Sequence, residues 1–315
     1  MSISMIPKAK ELKLISIYLY ICDLYDSELK YLCQRFSNNN EPEFTDQEVI
    51  TIYLYVMQVE QRLKIKQIHS FANDYLRSWF PRLHSYEAFV VRINRLSEVF
   101  KHISSLLLSN NCPDDCQRDT SLVDSLPIIT SSGKHPNAVA KELTDKGYCS
   151  TKSMYYHGSK LHALAFSRPG HLPYPESLIV TPASENDLIV QRQYWSIFYD
   201  RTFYGDKIYN DADFFKTMEE SYNSRMLIPM KAIKGQCLTT VQRDKAANDL
   251  YSTAVSKIRQ PIEALFNWLI DKTDIQRASK VRSSKGLIVH IFGRIAANLH
   301  IFNLHLLNSY YSSIS

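Results

Sequence analysis

Three acidic residues occupy positions where a carboxylate needs a chemical reason. Asp124 lies within the apolar run SLVDSLP, where Leu122 and Leu126 share its side of an extended strand. Asp206 directly follows the run RTFYG, and Glu263 belongs to the segment SKIRQPIEALFNWL. A carboxylate in apolar surroundings is costly unless it is paired or binds a metal ion. Together, the three acids predict a shared site for hard divalent cations, which prefer oxygen ligands.

Phosphodiester chemistry is what such a site favours. Two divalent cations about 4 Å apart can activate a water or a 3′-hydroxyl and stabilise the leaving oxygen. In that scheme no serine or histidine nucleophile is required. Arg259, one turn before Glu263, is expected to orient that carboxylate or to hold a phosphate through its planar guanidinium group. The alternative for Arg259 and Glu263 is an ordinary surface ion pair of small energy.

Simpler interpretations of the other residues stay open. Asp206 follows a glycine, and Gly-Asp is a common turn pair. Asp187, in ASENDL, is either a fourth acid near the site or part of a helix cap, which we favour for that segment. Pro261 separates Arg259 from Glu263, and it either occupies the first turn of a helix or kinks a longer one.

The elements that must position these residues fall into two regions. Apolar residues recur at helical spacing over the first hundred or so residues, where Thr45 and Glu48 predict a capping box and Ser85 predicts a later helix cap. Beyond SNNCPDDCQRDT, five short apolar or alternating runs predict strands, with helical segments between and after them. The later helix quoted above has a predicted apolar face made of Ile258, Ile262, Leu265, Phe266 and Leu269. We therefore predict a helical domain over residues 1–115 and an α/β domain with one central sheet over residues 116–315.

The predicted helical domain contains a candidate for DNA recognition. A helix carrying Arg92, Asn94 and Arg95 follows another helix after a short polar turn. This arrangement fits a helix-turn-helix reader of DNA, and it equally fits a plain helical bundle with a solvated face.

Several blocks of the sequence resemble bacterial insertion-sequence transposases of the DDE type. In order, these are SLVDSLPI, TDKGYCSTKSMYY, YYHGSKLHAL, LIVTPASENDL, YGDKIYND, SKIRQPIEALFNW and ASKVRSSKGLIVHIFGR. The similarity runs from about residue 45 to about residue 305. It implies a ribonuclease-H-like mixed sheet with flanking helices, preceded by the helical domain. By position in the motifs, Asp124, Asp206 and Glu263 match the three metal-binding acids of the family, and Arg259 matches the arginine four residues before the glutamate.

The resemblance also implies cofactors and partners. The expected activity is cleavage and strand transfer of double-stranded DNA at the terminal inverted repeats of the element, with two Mg²⁺ ions in each active site and Mn²⁺ as a substitute. A homodimer or larger assembly is expected, because two element ends must be handled. Related families place a tyrosine three residues before the arginine and a lysine seven after the glutamate, and here those positions are Ser256 and Ile270. Lys272 is the candidate replacement for that lysine.

Basic residues near the end of the chain are candidates for phosphate contacts. They lie in the acid-free segment QRASKVRSSKG and are Arg277, Lys280, Arg282 and Lys285. Lys207, beside Asp206, is a further candidate. Such contacts would position DNA without reading its sequence. The alternative is a solvated basic loop. Tyr148, Tyr155 and Tyr156 are candidates to stack on an unpaired base, although tyrosines in strands more often serve packing.

Composition narrows the classes of function. The net charge of +5 fits a polyanionic partner without requiring one. Neither GxGxxG nor GxxxxGK[ST] occurs, which argues against a nucleotide cofactor. Six scattered cysteines are typical of reduced thiols.

The apolar run GLIVHIFGRIAANLHIFNLHLL contains Arg294, which predicts a buried helix with an acidic or phosphate neighbour rather than a membrane span. We expect a cytoplasmic bacterial protein that associates with the nucleoid through DNA.

Two other functions remain open from the sequence. One is a structure-selective, metal-dependent nuclease of the same fold, which would cut without end specificity or strand joining. The other is a DNA-binding derivative that has lost cleavage activity.

Overall fold

The computed structural model describes residues 6–36, 42–134, 139–150, 152–230 and 237–299, and it shows a mixed α/β protein. The chain divides into two compact units. The first unit holds the described residues up to Asn110, together with Asp271–Ile275 and the described residues from Lys280 onward. The second unit holds Asn111–Ile270 and Gln276–Ser279. Within the described ranges, no helix combines the length and apolar character that a membrane crossing requires.

The described residues up to Asn110 are mainly helical, as predicted. The helices are α1 (Lys8–Leu24), a π-helical turn (Tyr25–Leu29), α2 (Lys30–Cys33), α3 (Asp46–Val59), α4 (Ile65–Tyr75), α5 (Tyr86–Arg95) and α6 (Ser97–Asn110). The segment that follows Ser85 was expected to form one helix, but it divides at Leu96 into α5 and α6.

Helix α3 is the centre of the first unit. It begins at the predicted capping box, where the Thr45 hydroxyl accepts a hydrogen bond from the Glu48 N–H and the Glu48 carboxylate accepts one from the Thr45 N–H. Residues 49–58 of α3 are all buried, so the helix is enclosed on every side. Its neighbours within this unit include α1, α4 and α5.

The described C-terminal helical segment groups with the first unit, whereas the sequence analysis placed it in the domain over residues 116–315. It consists of α11 (Ser284–Ile288), a π-helical turn (Val289–Gly293) and helical residues 294–299. The Ser104 hydroxyl donates a hydrogen bond to the Phe292 carbonyl over 2.7 Å. Gly293 lies against the Tyr53 ring, where an added Cβ would come within 2.8 Å of the phenol oxygen. Buried contacts with α3 and α6 therefore hold this segment to the helices.

Arg294 is buried, as the sequence predicted. Burial lowers the pKa of its guanidinium group, and the nearby charge of Asp274 acts in the opposite direction. Its guanidinium group donates to the Thr273 carbonyl and, over 2.7 Å, to the Leu63 carbonyl. Backbone acceptors thus satisfy part of the hydrogen-bonding capacity that we assigned to an acid or a phosphate.

The second unit is built on one mixed sheet of six strands. The strands are β1 (Gln117–Ser132), β2 (Asp145–Cys149), β3 (Met154–Ser167), β4 (Tyr174–Pro182), β5 (Thr202–Tyr204) and β6 (Arg225–Leu227). Their order is β2-β3-β1-β5-β6, and β4 also pairs with β3. Strand β1 is antiparallel to β3 and parallel to β5, which is parallel to β6. All five predicted strands are present, and β2 is an additional strand that the sequence analysis missed.

Helices follow and separate these strands. They are α7 (Asp187–Val190), a π-helical turn (Gln191–Trp195), a 3₁₀ turn (Lys207–Tyr209), α8 (Ala212–Tyr222), α9 (Leu238–Arg259) and α10 (Pro261–Thr273). The core on one face of the sheet includes Val123, Leu164, Trp195, Phe203 and Tyr209. Val123 belongs to this face, so strand alternation directs its neighbour Asp124 to the other.

Candidate functional site

Strand register brings Asp124 and Asp206 side by side. Leu122 of β1 pairs with Tyr204 of β5 in the parallel part of the sheet. Asp124 lies two residues beyond the first member of this pair, and Asp206 lies two residues beyond the second. Neighbouring strands are about 4.8 Å apart, so the two residues lie near each other. Asp124 lies within β1, which continues to Ser132, whereas Asp206 lies just beyond the carboxyl end of β5. This is the end at which open α/β sheets collect ligands.

The junction between α9 and α10 places Arg259 and Glu263 at the same site. Arg259 is the last residue of α9, and Pro261 is the first residue of α10. Proline is tolerated there because the first helical N–H groups have no partner within the helix. Of the predicted apolar face, Ile262, Leu265, Phe266 and Leu269 are buried, whereas Ile258 before the junction is exposed. Pro261 therefore occupies a first turn, as one of the two sequence alternatives proposed.

Arg259 connects the strand acid to the helix acid. One terminal nitrogen of its guanidinium group donates to Asp124 Oδ2 over 2.9 Å. The other donates to Glu263 Oε1. The guanidinium side chain is only 15% exposed, whereas that of Glu263 is 50% exposed. The planar fork of arginine matches this paired acceptance. Arg259 and Glu263 are thus more than a surface ion pair, because the same guanidinium group also binds a carboxylate 135 residues earlier.

The environment of Asp124 makes its negative charge unfavourable. Burial raises its pKa to about 6, and the nearby charges of Asp187 and Asp206 act in the same direction. The Ser125 N–H, which donates to Asp124 Oδ1 over 2.8 Å, and the Arg259 charge both oppose that rise. The site therefore holds several carboxylates near one arginine. The single positive charge of this arginine does not neutralise all of their negative charges.

A second group of polar side chains lies behind Asp124. Asp187 is buried, and it accepts hydrogen bonds from Lys160 Nζ over 3.1 Å and from the Ser125 hydroxyl over 3.2 Å. His162 Nδ1 lies 3.4 Å from the same carboxylate. Burial lowers the pKa of His162 to about 4, so its imidazole is neutral at pH 7.

Asp187 therefore lies on the face of the sheet opposite Asp124, although its charge still acts on that residue. The cap of α7 is its neighbour Asn186, whose side chain accepts from the Leu188 N–H. The sequence offered one signal for this arrangement, because Lys160 and His162 alternate along β3 on the side opposite Ala163, the partner of Asp124.

The donors at this site suit a hard divalent cation in kind. Asp124, Asp206 and Glu263 supply carboxylate oxygens, the ligands that Mg²⁺ and Mn²⁺ prefer. The raised pKa of Asp124 shows a carboxylate that gains from an added positive charge. As placed within the described residues, no three His, Cys, Asp or Glu side chains meet closely enough to hold one metal ion. The Arg259 guanidinium group lies between two of the acids instead.

The predicted phosphate contacts lie at the surface. Lys207 is the first residue of the 3₁₀ turn, and its N–H donates to Asp206 Oδ1 over 2.6 Å. Arg277 belongs to a short segment that pairs beside β1 at Ile129. The other exposed members of the predicted set are Lys272, Lys280, Arg282 and Lys285. These residues therefore lie at the surfaces of their respective units.

Arg92 and Arg95 have a structural setting that the sequence did not predict. Arg92 is buried, and it donates to the Phe44 carbonyl and, over 2.6 Å, to Asp46 Oδ1. Arg95 donates to the Cys33 carbonyl over 2.9 Å and to Asp46 Oδ2 over 2.5 Å. Asn94 between them is half-buried. These contacts argue against a base-reading role for Arg92, because its outer nitrogens are directed into the helical core.

The arrangement as a whole brings carboxylates from separate segments together around the Arg259 guanidinium group, beside the carboxyl end of β5. Asp124, Asp206 and Glu263, predicted from separate segments, are linked by register and by Arg259, and the buried Asp187 acts on Asp124 through its charge. Searches with this chain against protein-family models, characterised proteins and solved structures found no match.

Proposed function

We propose that this protein is a DDE-type transposase that cuts DNA at the terminal inverted repeats of its insertion sequence and joins the ends to target DNA. The second unit is proposed to be a ribonuclease-H-like catalytic domain. The sequence blocks that resemble this transposase family support the proposal. So does a mixed sheet whose central strand β1 carries an acid beside the parallel strand β5.

One observation carries the proposal. Residues 82 positions apart, Asp124 and Asp206, follow a directly paired position in adjacent parallel strands, and Arg259 joins Asp124 to Glu263. Asp124 is the most buried of these three acids, and burying a carboxylate is costly, which favours a functional role for the cluster.

The roles of the residues follow from their positions. Asp124, Asp206 and Glu263 would hold two Mg²⁺ or Mn²⁺ ions. When bound, these ions supply an activated water or 3′-hydroxyl and stabilise the leaving oxygen of a phosphodiester. Arg259 holds the carboxylates of Asp124 and Glu263 in position. The buried Lys160–Asp187 pair, through the Ser125 hydroxyl, supports β1 at the residue after Asp124.

Double-stranded DNA is the proposed partner, and exposed cations are its proposed contacts. Lys207 lies beside Asp206, and Arg277 lies on a segment paired with β1. Because phosphate contacts release counterions, DNA affinity should fall steeply as salt rises. Two element ends call for a homodimer or larger assembly on DNA. We propose that the protein works in the bacterial cytoplasm, on the nucleoid.

A plasmid assay tests this function. The substrate is supercoiled DNA that carries the inverted repeats flanking the coding sequence, incubated with the full chain and Mg²⁺ or Mn²⁺. We expect cleavage at the repeat ends and joined products, both lost in Asp124→Ala and Asp206→Ala. The matched control is Asp119→Ala, because Asp119 is an exposed acid on the same strand as Asp124.

Each outcome separates the proposed function from its alternatives. Cleavage that persists in Asp124→Ala would refute the assignment. Cutting without preference for the repeats and without joined products would favour the structure-selective nuclease. Specific binding to the repeats without metal-dependent cutting would favour a non-catalytic DNA-binding protein.

A further inference from the structure

Two exposed tyrosines form a pair at the outer end of the sheet. Tyr148 on β2 is directly opposite Tyr155 on β3, and their ring centroids are 5.1 Å apart. The side chains are 53% and 61% exposed. The neighbouring Tyr156 is buried with Cys149 and Ala183 on the other face. Packing therefore accounts for Tyr156 but leaves the Tyr148–Tyr155 pair in water, where its aromatic faces remain available.

Two lysines lie near this tyrosine pair. Lys146 is two residues before Tyr148, and its Nζ lies 5.1 Å from the centre of the Tyr155 ring. Exposed Lys134 follows Gly133, whose N–H donates to the Tyr155 carbonyl over 3.0 Å. An added Cβ at Gly133 would come within 2.7 Å of the Tyr155 backbone. This close approach keeps Lys134 beside the pair.

The same strands contribute no carboxylate to this face at the described positions. Asp145 is adjacent to Lys146 and so points to the opposite side of β2. Its carboxylate accepts hydrogen bonds from the N–H and the hydroxyl of Ser184. In the β2–β3 turn, Lys152 donates to the Gln276 side chain, the residue before exposed Arg277. The surface therefore combines aromatic faces with an excess of positive charge.

The tyrosine pair faces the same side of the sheet as the candidate catalytic acids. Asp124 pairs with Ala163 on β3, and Tyr155 lies eight residues earlier on the same strand. The pairing along β3 continues without an extra residue in that strand, so alternation places Ala163 and Tyr155 on one side. The separation along the strand is about 26 Å, at 3.3 Å for each residue.

We propose that Tyr148 and Tyr155, with Lys146, form a stacking platform for an unpaired DNA nucleotide. The inference rests on the proposed action on DNA and adds a contact that this action does not require. Tyrosine rings stack on any base, because every base has a flat aromatic face. Within a duplex these faces are covered by neighbouring bases, so only a single-stranded or extruded nucleotide reaches the platform. Lys146 and Lys134 contribute attraction to the phosphates on either side.

Binding measurements on the full chain test the platform. The probes are a short fluorescent oligothymidylate and a fluorescent blunt duplex of equal strand length. Fluorescence anisotropy measures the binding of each probe, with a chelator present to prevent cleavage. Tyr148→Ala and Tyr155→Ala should each weaken oligothymidylate binding by between about fivefold and a hundredfold. Duplex binding should change less than about twofold. Lys146→Ala should weaken single-strand binding and reduce its salt dependence.

Matched variants separate stacking from folding. Tyr148→Phe and Tyr155→Phe keep the aromatic face and should bind oligothymidylate as the unaltered protein does. Tyr199→Ala is the control, because Tyr199 is 66% exposed and also has an aromatic neighbour, Tyr222. The platform is wrong if both alanine variants bind oligothymidylate normally, if single-strand and duplex binding fall together, or if the phenylalanine variants are as weak as the alanine variants.

The two proposals fail independently. Normal oligothymidylate binding by the alanine variants, with Asp124-dependent plasmid cleavage intact, would remove the platform alone. Selective loss of single-strand binding, with no plasmid cleavage by any form of the protein, would leave the platform in place and remove the transposase assignment.

Discussion

At the scale of single residues, Asp124 is a carboxylate whose surroundings disfavour its charged form. Its pKa of about 6 reflects burial first and the charges of Asp187 and Asp206 next. A structural aspartate that is paired usually has a lowered pKa, because ion pairs and hydrogen bonds favour its charged form. Function therefore explains the retention of this charge better than stability does.

Replacement of Asp124 by asparagine should stabilise the protein at neutral pH. Because the folded-state pKa is raised, the unaltered protein loses stability as pH rises from about 4 to 6, by up to about 3 kcal/mol. Asp124→Asn removes this cost, so its melting temperature should exceed that of the unaltered protein at pH 7.5 and match it near pH 4. Asp119→Asn should change neither value. Destabilisation of Asp124→Asn at both pH values would contradict the prediction.

Arg259 should control the pH dependence of DNA cleavage. Its charge lowers the pKa of Asp124, and its fork binds Asp124 and Glu263. Arg259→Ala should therefore reduce cleavage by about a hundredfold or more, comparable to the loss of a positioned electrostatic group. Since Asp124 must be ionised, the acidic limb of the rate profile should also move to higher pH. Arg259→Lys keeps the charge but lacks the fork, so it should lower the rate with a smaller shift of the limb.

A rate loss in Arg259→Ala with an unchanged pH profile would show that Arg259 acts only in packing. Lys257→Ala is a suitable control, because Lys257 is an exposed cation in the same last turn of α9.

Some residues of the candidate site could be predicted from the sequence, and one could not be placed from it. Asp124, Asp206 and Glu263 were identifiable because each interrupts or ends an apolar pattern. From the sequence, Asp187 is one candidate for a fourth acid near the site. A cap role is favoured for its segment, however, because a short polar segment before a helix is the common setting of a cap. Only strand pairing, which brings Lys160 and Ser125 to its carboxylate, reveals its position.

At the scale of elements, local sequence signals predicted two helix starts but did not predict one strand. Thr45 and Ser85 cap their helices because capping depends on the nearest few residues. Strand β2 was missed because DKGYC contains little apolar sequence. Its residues pair with β3 through the backbone and bury Cys149 against Tyr156 and Ala183. Such pairing depends on a distant partner strand, which a local window does not contain.

The start of α3 depends on a buried ion cluster that should set acid stability. Asp46 accepts hydrogen bonds from Arg35, Arg92 and Arg95. Burial alone would raise its pKa, but the hydrogen bonds from Arg95 and Arg92 outweigh burial and lower it. Asp46→Asn should destabilise the helical unit by about 3 kcal/mol at pH 7, because it leaves buried arginines without their counter-charge.

Urea unfolding followed by helical circular dichroism measures this effect. The stabilisation should be fully present above the ordinary aspartate pKa near 4 and should disappear as pH falls through the lowered folded-state pKa. Asp23→Asn, at an exposed acid of α1, is the control. Equal urea midpoints for Asp46→Asn and the unaltered protein at pH 7 would show that the cluster is not stabilising.

At the scale of the whole molecule, the order of segments along the chain did not predict which segments belong to each of the two units. The predicted boundary near residue 115 lies close to the observed division at Asn110. The C-terminal helical segment nevertheless packs with α3 and α6, through contacts such as Ser104 with Phe292. Its apolar pattern predicted burial correctly, but burial pattern alone does not identify the partner. A contact between residues 188 positions apart becomes evident only in the folded chain.

Divalent cations should stabilise the folded protein. Several carboxylates around Arg259 repel one another, and a cation that binds only the folded state raises its stability by mass action. Saturating Mg²⁺ or Mn²⁺ should raise the melting temperature by several degrees, equivalent to about 2–3 kcal/mol at a hundredfold excess over the dissociation constant. Asp206→Asn should reduce this rise, and Asp213→Asn, at an exposed acid of α8, should not. An unchanged melting temperature in the unaltered protein would count against a metal site.

Crystals of the full chain soaked with Mn²⁺ provide the most direct measurement of the central claim, because anomalous scattering locates the ion without assumptions about activity. Our account predicts Mn²⁺ bound by the carboxylates of Asp124 and Asp206, with Glu263 beside it. Saturated crystals with Mn²⁺ only elsewhere, or with none at these three acids, would contradict it.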